Sequence, residues 1–203
     1  SSGNVGLGVA SPANNLDIAI DTNNEGIRIS SSTNVFGKID FHANRSGADA
    51  GLGILDFNWN NTQVARIIGS TGADTTNKDD GVLQFHTAAA GSASEAMRID
   101  SSGNVGIGTT SPGDKIEITP SSNRQGLTMK NTGTTFGGIN IDTNRSGAGQ
   151  ALGDVRFLWN GTAVAGMTGV TGADTVNKDD GQLFFHTSAS GSSSERMRID
   201  SSG

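Results

Sequence analysis

The sequence repeats itself. The string SSGNVGLG at residues 1–8 returns as SSGNVGIG at 101–108, and MRIDSSG at 97–103 returns unchanged at 197–203. Between them the offset stays at 100 residues without a gap. Phe57 and Trp59 face Phe157 and Trp159, TGADT at 71–75 faces 171–175, and NKDDG at 77–81 faces 177–181. About half of the aligned positions are identical. Self-similarity at fixed period marks stacked supersecondary units, each unable to bury its apolar face alone. The expected organisation is one unit at 1–100, a second at 101–200, and the start of a third at 201–203. Ser-Ser-Gly opens the chain, sits at the junction and closes the chain, so an excerpt of a longer array is expected.

Composition sharpens the burial problem. Hydrophobic residues make up 33% of the chain, where a globular domain has nearly half. Gly accounts for 30 of 203 residues, about twice its usual share. A solitary unit of this kind cannot offset its chain entropy with so little apolar surface. Short apolar runs and only three prolines (Pro12, Pro112 and Pro120) argue against disorder. Burial against other copies of the same chain is the remaining solution.

The same numbers exclude several classes. The net charge is −6, with Lys and Arg scattered rather than striped, so nucleic-acid binding is not expected. No cysteine is present, which removes disulfides and thiolate metal sites. No apolar run approaches the length of a membrane span.

The local pattern is that of strands. No window carries apolar residues at helical spacing, whereas period-two alternation recurs at 16–20, 26–30, 38–42, 54–59, 63–68, 82–86 and 97–100. Turn clusters lie at 44–47, 70–72 and 78–81. Asn160-Gly161 suits a two-residue hairpin turn with positive φ at both positions, and Asn60-Asn61 meets the same demand in the first unit. A second hairpin is expected across the small-residue loop 88–95. The fold class is therefore all-β.

The junction carries a resemblance. RMRIDSSG at 196–203, read with SSGNVGIGTTSP at 101–112, resembles a repeat of phage tail fibres and tail spikes, often placed upstream of an endosialidase-type intramolecular chaperone domain. The resemblance implies an elongated tandem-repeat shaft, an intertwined homotrimeric β-helix or β-prism. It also implies a structural role in host attachment, carried on a virion or otherwise extracellular. Alternative readings are a glycan-binding recognition module, with loops 88–94 and 188–194 contacting surface sugars, and a bacterial extracellular filament or adhesin stalk. The expected partner is the chain itself, as a homotrimer and as end-to-end continuation of the array, with host surface glycans as a further partner and neither nucleic acid nor membrane. Around a threefold axis, Val5, Leu7, Val105 and Ile107 are expected to point inward. Gly6, Gly8, Gly106 and Gly108 are expected to admit the neighbouring backbones, with Pro112 ending the run.

The sequence assigns no catalytic, cofactor-binding or metal-ligating residue and no cofactor, and the chain is read as a non-enzyme. His86 and His186 read as strand histidines. Asp74, Asp79 and Asp80, with Asp174, Asp179 and Asp180, fit no calcium-loop spacing and read as solvated turns beside Lys78 and Lys178. Glu95 and Glu195 read as salt-bridge partners of nearby arginines rather than as glycosidase acids. Trp59 and Trp159 read as core anchors, with Phe36, Phe57, Phe85, Phe136, Phe157 and Phe185 as neighbours.

Overall fold

The computed structural model describes residues 3–19, 27–30, 37–122, 125–133 and 137–203. Among them the regular structure is all β. The strands are β1 (Val5–Leu7), β2 (Leu16–Ile18), β3 (Gly51–Trp59), β4 (Thr62–Thr71), β5 (Gly81–Ala89), β6 (Ser92–Ile99), β7 (Val105–Ile107), β8 (Ile116–Ile118), β9 (Ala151–Trp159), β10 (Thr162–Thr171), β11 (Gly181–Ala189) and β12 (Ser192–Ile199). Each strand from β7 onward repeats an earlier one at an offset of 100 residues.

The chain divides into two compact units, Ser1–Leu127 and Thr128–Gly203. The first contains the parallel pair β1-β2 and a six-stranded sheet in the order β3-β4-β5-β6-β7-β8. The second contains a four-stranded sheet in the order β12-β11-β10-β9. The unit boundary falls later than the sequence period, because β7 and β8 belong to the second period yet complete the sheet of the first.

The hairpin turns follow from backbone demand. Asn60 and Asn61 have φ of 46° and 64°, and Asn160 and Gly161 have 47° and 81°. This left-handed pair matches the twist of the flanking strands. The expected loop at 88–95 is shorter than its composition suggested. Strand β5 runs through Ala89 and β6 starts at Ser92, leaving only Ala90 and Gly91 at the turn, with φ of 53° and 87°. Ala and Ser have weak strand preference, but cross-strand pairing carries them. Likewise β4 extends through Ser70 and Thr71, which had read as a turn. The alternating stretches at 27–30 and 38–42 form no strand among the described residues. Residues 20 and 26, at the ends of two expected strands, lie outside the described residues, as do Phe36 and Phe136.

The junction glycines admit the chain's own backbone. A Cβ on Gly6 would lie 2.5 Å from the Val9 carbonyl oxygen, and one on Gly106 would lie 2.7 Å from that of Thr109. Strand β7 is flanked by β6 and β8 of its own chain, and the run turns at Gly108, whose φ is 73°. Asn104 Nδ2 donates to the Pro112 carbonyl at 3.4 Å, and Asn4 Nδ2 to that of Pro12 at 3.1 Å. These bonds fold the glycine run back and allow a parallel pair over a connection of only residues 108–115, shorter than the dozen or more that such pairs generally need.

Candidate functional site

Registration makes the six-stranded sheet amphipathic. Directly opposed residues share a face, and the pairing Leu55-Ile67-Phe85-Met97-Ile107-Ile118 draws one apolar row across all six strands. A second row on that face runs Leu83-Ile99-Val105-Ile116. The four-stranded sheet repeats the first row as Val155-Met167-Phe185-Met197. Every element-to-element contact among the described residues joins strands of the same sheet, so no second strand layer packs on these rows; Phe41 reaches this face at Gly53, where an added Cβ would meet its side chain at 2.5 Å. Leu55, Phe57, Leu83, Ile107, Val155, Phe157 and Met197 are exposed as a result.

The tryptophans do not anchor a core within the chain. Trp59 and Trp159 end their strands beside the hairpin turns, and each is 78% exposed. With no second strand layer above the sheet among the described residues, a strand-end aromatic stays uncovered there.

The opposite face is polar and internally paired. Arg66 forks onto Asp56 at 2.8 and 3.1 Å, which holds the Asp56 carboxyl below the usual range. Arg98 forks onto Glu95 at 2.6 and 2.7 Å, and Arg198 onto Glu195 at 2.6 and 2.8 Å. The Arg198 guanidinium holds the Glu195 carboxyl below its usual range and lies 4.5 Å from the centre of the Phe184 ring. His86 Nε2 sits 3.3 Å from Gln84 Oε1, and His186 Nε2 lies 3.3 Å from Thr168 Oγ1. The two histidines occupy equivalent strand positions but have different partners.

The aspartates latch a loop. Asp74 Oδ1 accepts from the backbone N–H groups of Thr76 and Asn77, and Asp80 Oδ2 accepts from Asp74 N–H at 3.0 Å. A Cβ at Gly72 would come within 2.3 Å of the Asp80 carboxylate, so glycine is what lets that carboxylate enter. Lys78 turns aside to Asn44 Oδ1 at 2.7 Å. Among the described residues no cluster of three His, Cys, Asp or Glu side chains could hold a metal ion.

Beside each latch lies a cavity. That of the second unit, about 260 Å3, is lined by Ile141, Arg145, Thr171, Asp174, Lys178 and Asp180 among others. That of the first, about 210 Å3, has Phe41, Arg45, Thr71, Asp74, Lys78 and Asp80 in its wall. Most of the polar groups in these walls are spoken for: Thr71 Oγ1 donates to the Gly47 carbonyl and Arg45 Nε to that of Gly51. Sequence reading missed both cavities, because 41–45 and 71–80 meet only through sheet pairing.

The fold has counterparts among solved structures. The fold is tail-fibre-like. The chain is similar to the carboxy-terminal domain of the bacteriophage T5 L-shaped tail fibre, with a TM-score of 0.65, 14% identity, and 89% of each chain covered. It is also similar to that domain solved together with its intramolecular chaperone domain, with a TM-score of 0.66 and 15% identity over 88% of this chain and 61% of that one. No family model and no curated protein matches the sequence.

Proposed function

We propose that this chain is a shaft module of a homotrimeric fibre, virion-borne or extracellular, whose role is mechanical support for host attachment and not catalysis. The observation that carries this reading is the uncovered apolar face. Among the described residues Ile68 and Val170 are the only buried large apolar side chains, while twenty-five are exposed.

In the proposed fibre, the rows through Phe85 and Phe185, together with Trp59 and Trp159, meet their symmetry equivalents in an intertwined β-prism or β-helix shaft. The unpaired alternating segments carrying Ile27, Ile39, Phe41, Ile139 and Ile141, all exposed, then find partner strands on other chains. The similar solved domains belong to a tail fibre, which supports the same assignment. The expected 100-residue modules, 1–100 and 101–200, stack along such a shaft. The non-enzymatic reading rests on Glu95 and Glu195, both committed to bidentate arginine pairs. The glycan-binding alternative loses its proposed loops, since 88–94 and 188–194 are strands joined by two-residue turns.

Light scattering coupled to size exclusion tests the proposal. The expected particle has three times the 20.7 kDa chain mass. A particle of one chain at every concentration would overturn it.

A further inference from the structure

In each unit a lysine reaches a distant asparagine. Lys78 Nζ donates to Asn44 Oδ1 at 2.7 Å and Lys178 Nζ to Asn144 Oδ1 at 3.3 Å, each across 34 residues of chain. The contact joins the segment before β3 or β9 to the loop that follows β4 or β10. As a hydrogen bond alone it is poorly justified. All four residues are exposed, and water competes for such a bond, so its net contribution is small. Yet the two lysines are held at φ of 59° and 58°, a left-handed conformation that glycine or asparagine adopts at lower cost. Lysine takes that position in both periods, so its side chain, and not the backbone turn, is what the position calls for.

The surroundings supply what an exchange of amides needs. Lys78 lines the cavity of the first unit with Phe41, Leu52, Asp74 and Asp80, and Asn44 falls between two other wall residues, Ala43 and Arg45. Asp74 is already committed, since its carboxylate accepts from Thr76 and Asn77. Asp80 has capacity to spare. Its Oδ2 accepts from Asp74 N–H, whereas its Oδ1 is buried with no hydrogen-bond partner among the described residues. Leaving a buried oxygen unpaired is costly, and a carboxylate so placed is suited to taking and returning a proton. In the second unit Lys178 and Asp180 line the equivalent cavity, but Asp180 uses both oxygens, on Ala173 N–H and Asp174 N–H.

We propose that Lys78 and Asn44, and more slowly Lys178 and Asn144, join as intramolecular isopeptide bonds. The unprotonated Lys78 amine is the nucleophile. Its Nζ lone pair attacks Asn44 Cγ, and Oδ1 carries the charge of the tetrahedral intermediate. Collapse breaks the Cγ–Nδ2 bond. Asp80 takes the proton that Nζ gives up, directly or through one water, and returns it to the departing nitrogen. One ammonium side chain and one primary amide become one secondary amide and one ammonium ion. Nothing is oxidised or reduced, and no further reactant is needed. The bond closes residues 44–78 into a covalent loop around the β3-β4 hairpin, in a chain that has no cysteine for a disulfide. Such a brace constrains the unfolded chain, as any internal cross-link does. It neither requires nor follows from the trimeric reading, since both reacting groups lie in one unit of one chain.

Intact mass spectrometry of the purified 203-residue chain, with peptide mapping after digestion, tests the proposal. The unaltered chain is expected to be lighter than its sequence by one ammonia, and by a second after longer incubation. Digestion is expected to yield a branched peptide joining residues 44 and 78. Lys78→Arg keeps the charge but offers no such nucleophile, and is expected to abolish that peptide while leaving the 144–178 link to form. Lys78→Arg with Lys178→Arg is expected to keep its full mass. Asp80→Asn, which still offers Asp74 N–H an acceptor, is expected to keep a β-type circular dichroism spectrum and to form the 44–78 link several-fold more slowly. An unaltered chain that keeps its full mass after prolonged incubation, with no branched peptide, would overturn the proposal. So would an equal loss of ammonia in the double arginine variant. An unchanged rate in folded Asp80→Asn would remove Asp80 from the reaction. Should that variant not fold, the arginine variants alone decide whether the bond exists.

Discussion

At the scale of single residues, the two periods place identical side chains in unlike surroundings. Arg98 lies under the 44–50 loop, with its Nη1 3.8 Å from Asp49 as well as bonded to Glu95. Asp49 has a positive φ of 52°, and the second period has Gly149 there, with φ of 68°. Gly149 relieves the backbone but gives Arg198 no carboxylate. Removing a guanidinium from a nearly enclosed site strands its carboxylate partner, at roughly 1–3 kcal/mol, whereas an exposed pair contributes well under about 1 kcal/mol. Arg98→Gln is therefore expected to destabilise the first unit by roughly 2 kcal/mol, and Arg198→Gln to have little effect in dilute solution. Hydrogen exchange on β6 and β12 reads the two separately. Equal losses of protection would contradict the assignment. The sequence made the Glu-Arg pairs legible through their spacing, but not the difference between them, because that depends on what the fold brings over each guanidinium, Asp49 for Arg98 and no carboxylate from Gly149 for Arg198.

At the scale of elements, the loop between β4 and β5 is held by carboxylates rather than by apolar contact. Asp74 and Asp174 are held below the ordinary carboxylate value, first by the backbone N–H of Asn77 and Asn177 respectively. A depressed native value means that the unfolded chain binds protons more readily. The stabilisation is then fully present above the ordinary pKa of about 4 and is lost as pH falls through the lower native value. Thermal midpoints are expected to be flat from neutral pH to about pH 5 and to fall below about pH 4. Asp56 and Asp100 are depressed as well, so Asp74→Asn with Asp174→Asn should make the acid slope shallower without abolishing it. An unchanged slope would show that the latch does not titrate with folding. The hairpins of the same elements were readable from Asn60-Asn61 and Asn160-Gly161, since positive φ restricts the residues allowed there. The turn at Ala90-Gly91 was hidden inside a small-residue tract whose pairing no local rule reveals.

At the scale of the whole molecule, the apolar rows are complete within each sheet and no second strand layer among the described residues covers them. The proposed trimer gives them an interior, and Trp59 and Trp159 report it. In the assembled particle their emission is expected to be blue-shifted and resistant to a polar quencher, and dilution to single chains should reverse both. Trp159→Ser is expected to weaken assembly while leaving the β9-β10 turn intact, because the turn is set by Asn160 and Gly161. Tryptophans fully open to quencher in a particle of three chains would place the interface on another face.

The sequence by itself determined the period, the all-β class, the two asparagine turns and the shortage of apolar material for a solitary interior. Each follows from local backbone preference or from counting. Tertiary structure alone decided that the junction glycines admit the chain's own carbonyls and that Phe85, Met97 and Ile107 align in one row. The physical reason is register. A strand's alternation says that it has two faces, but only its hydrogen-bonded neighbours determine which residues share a face and which edge is left without a partner.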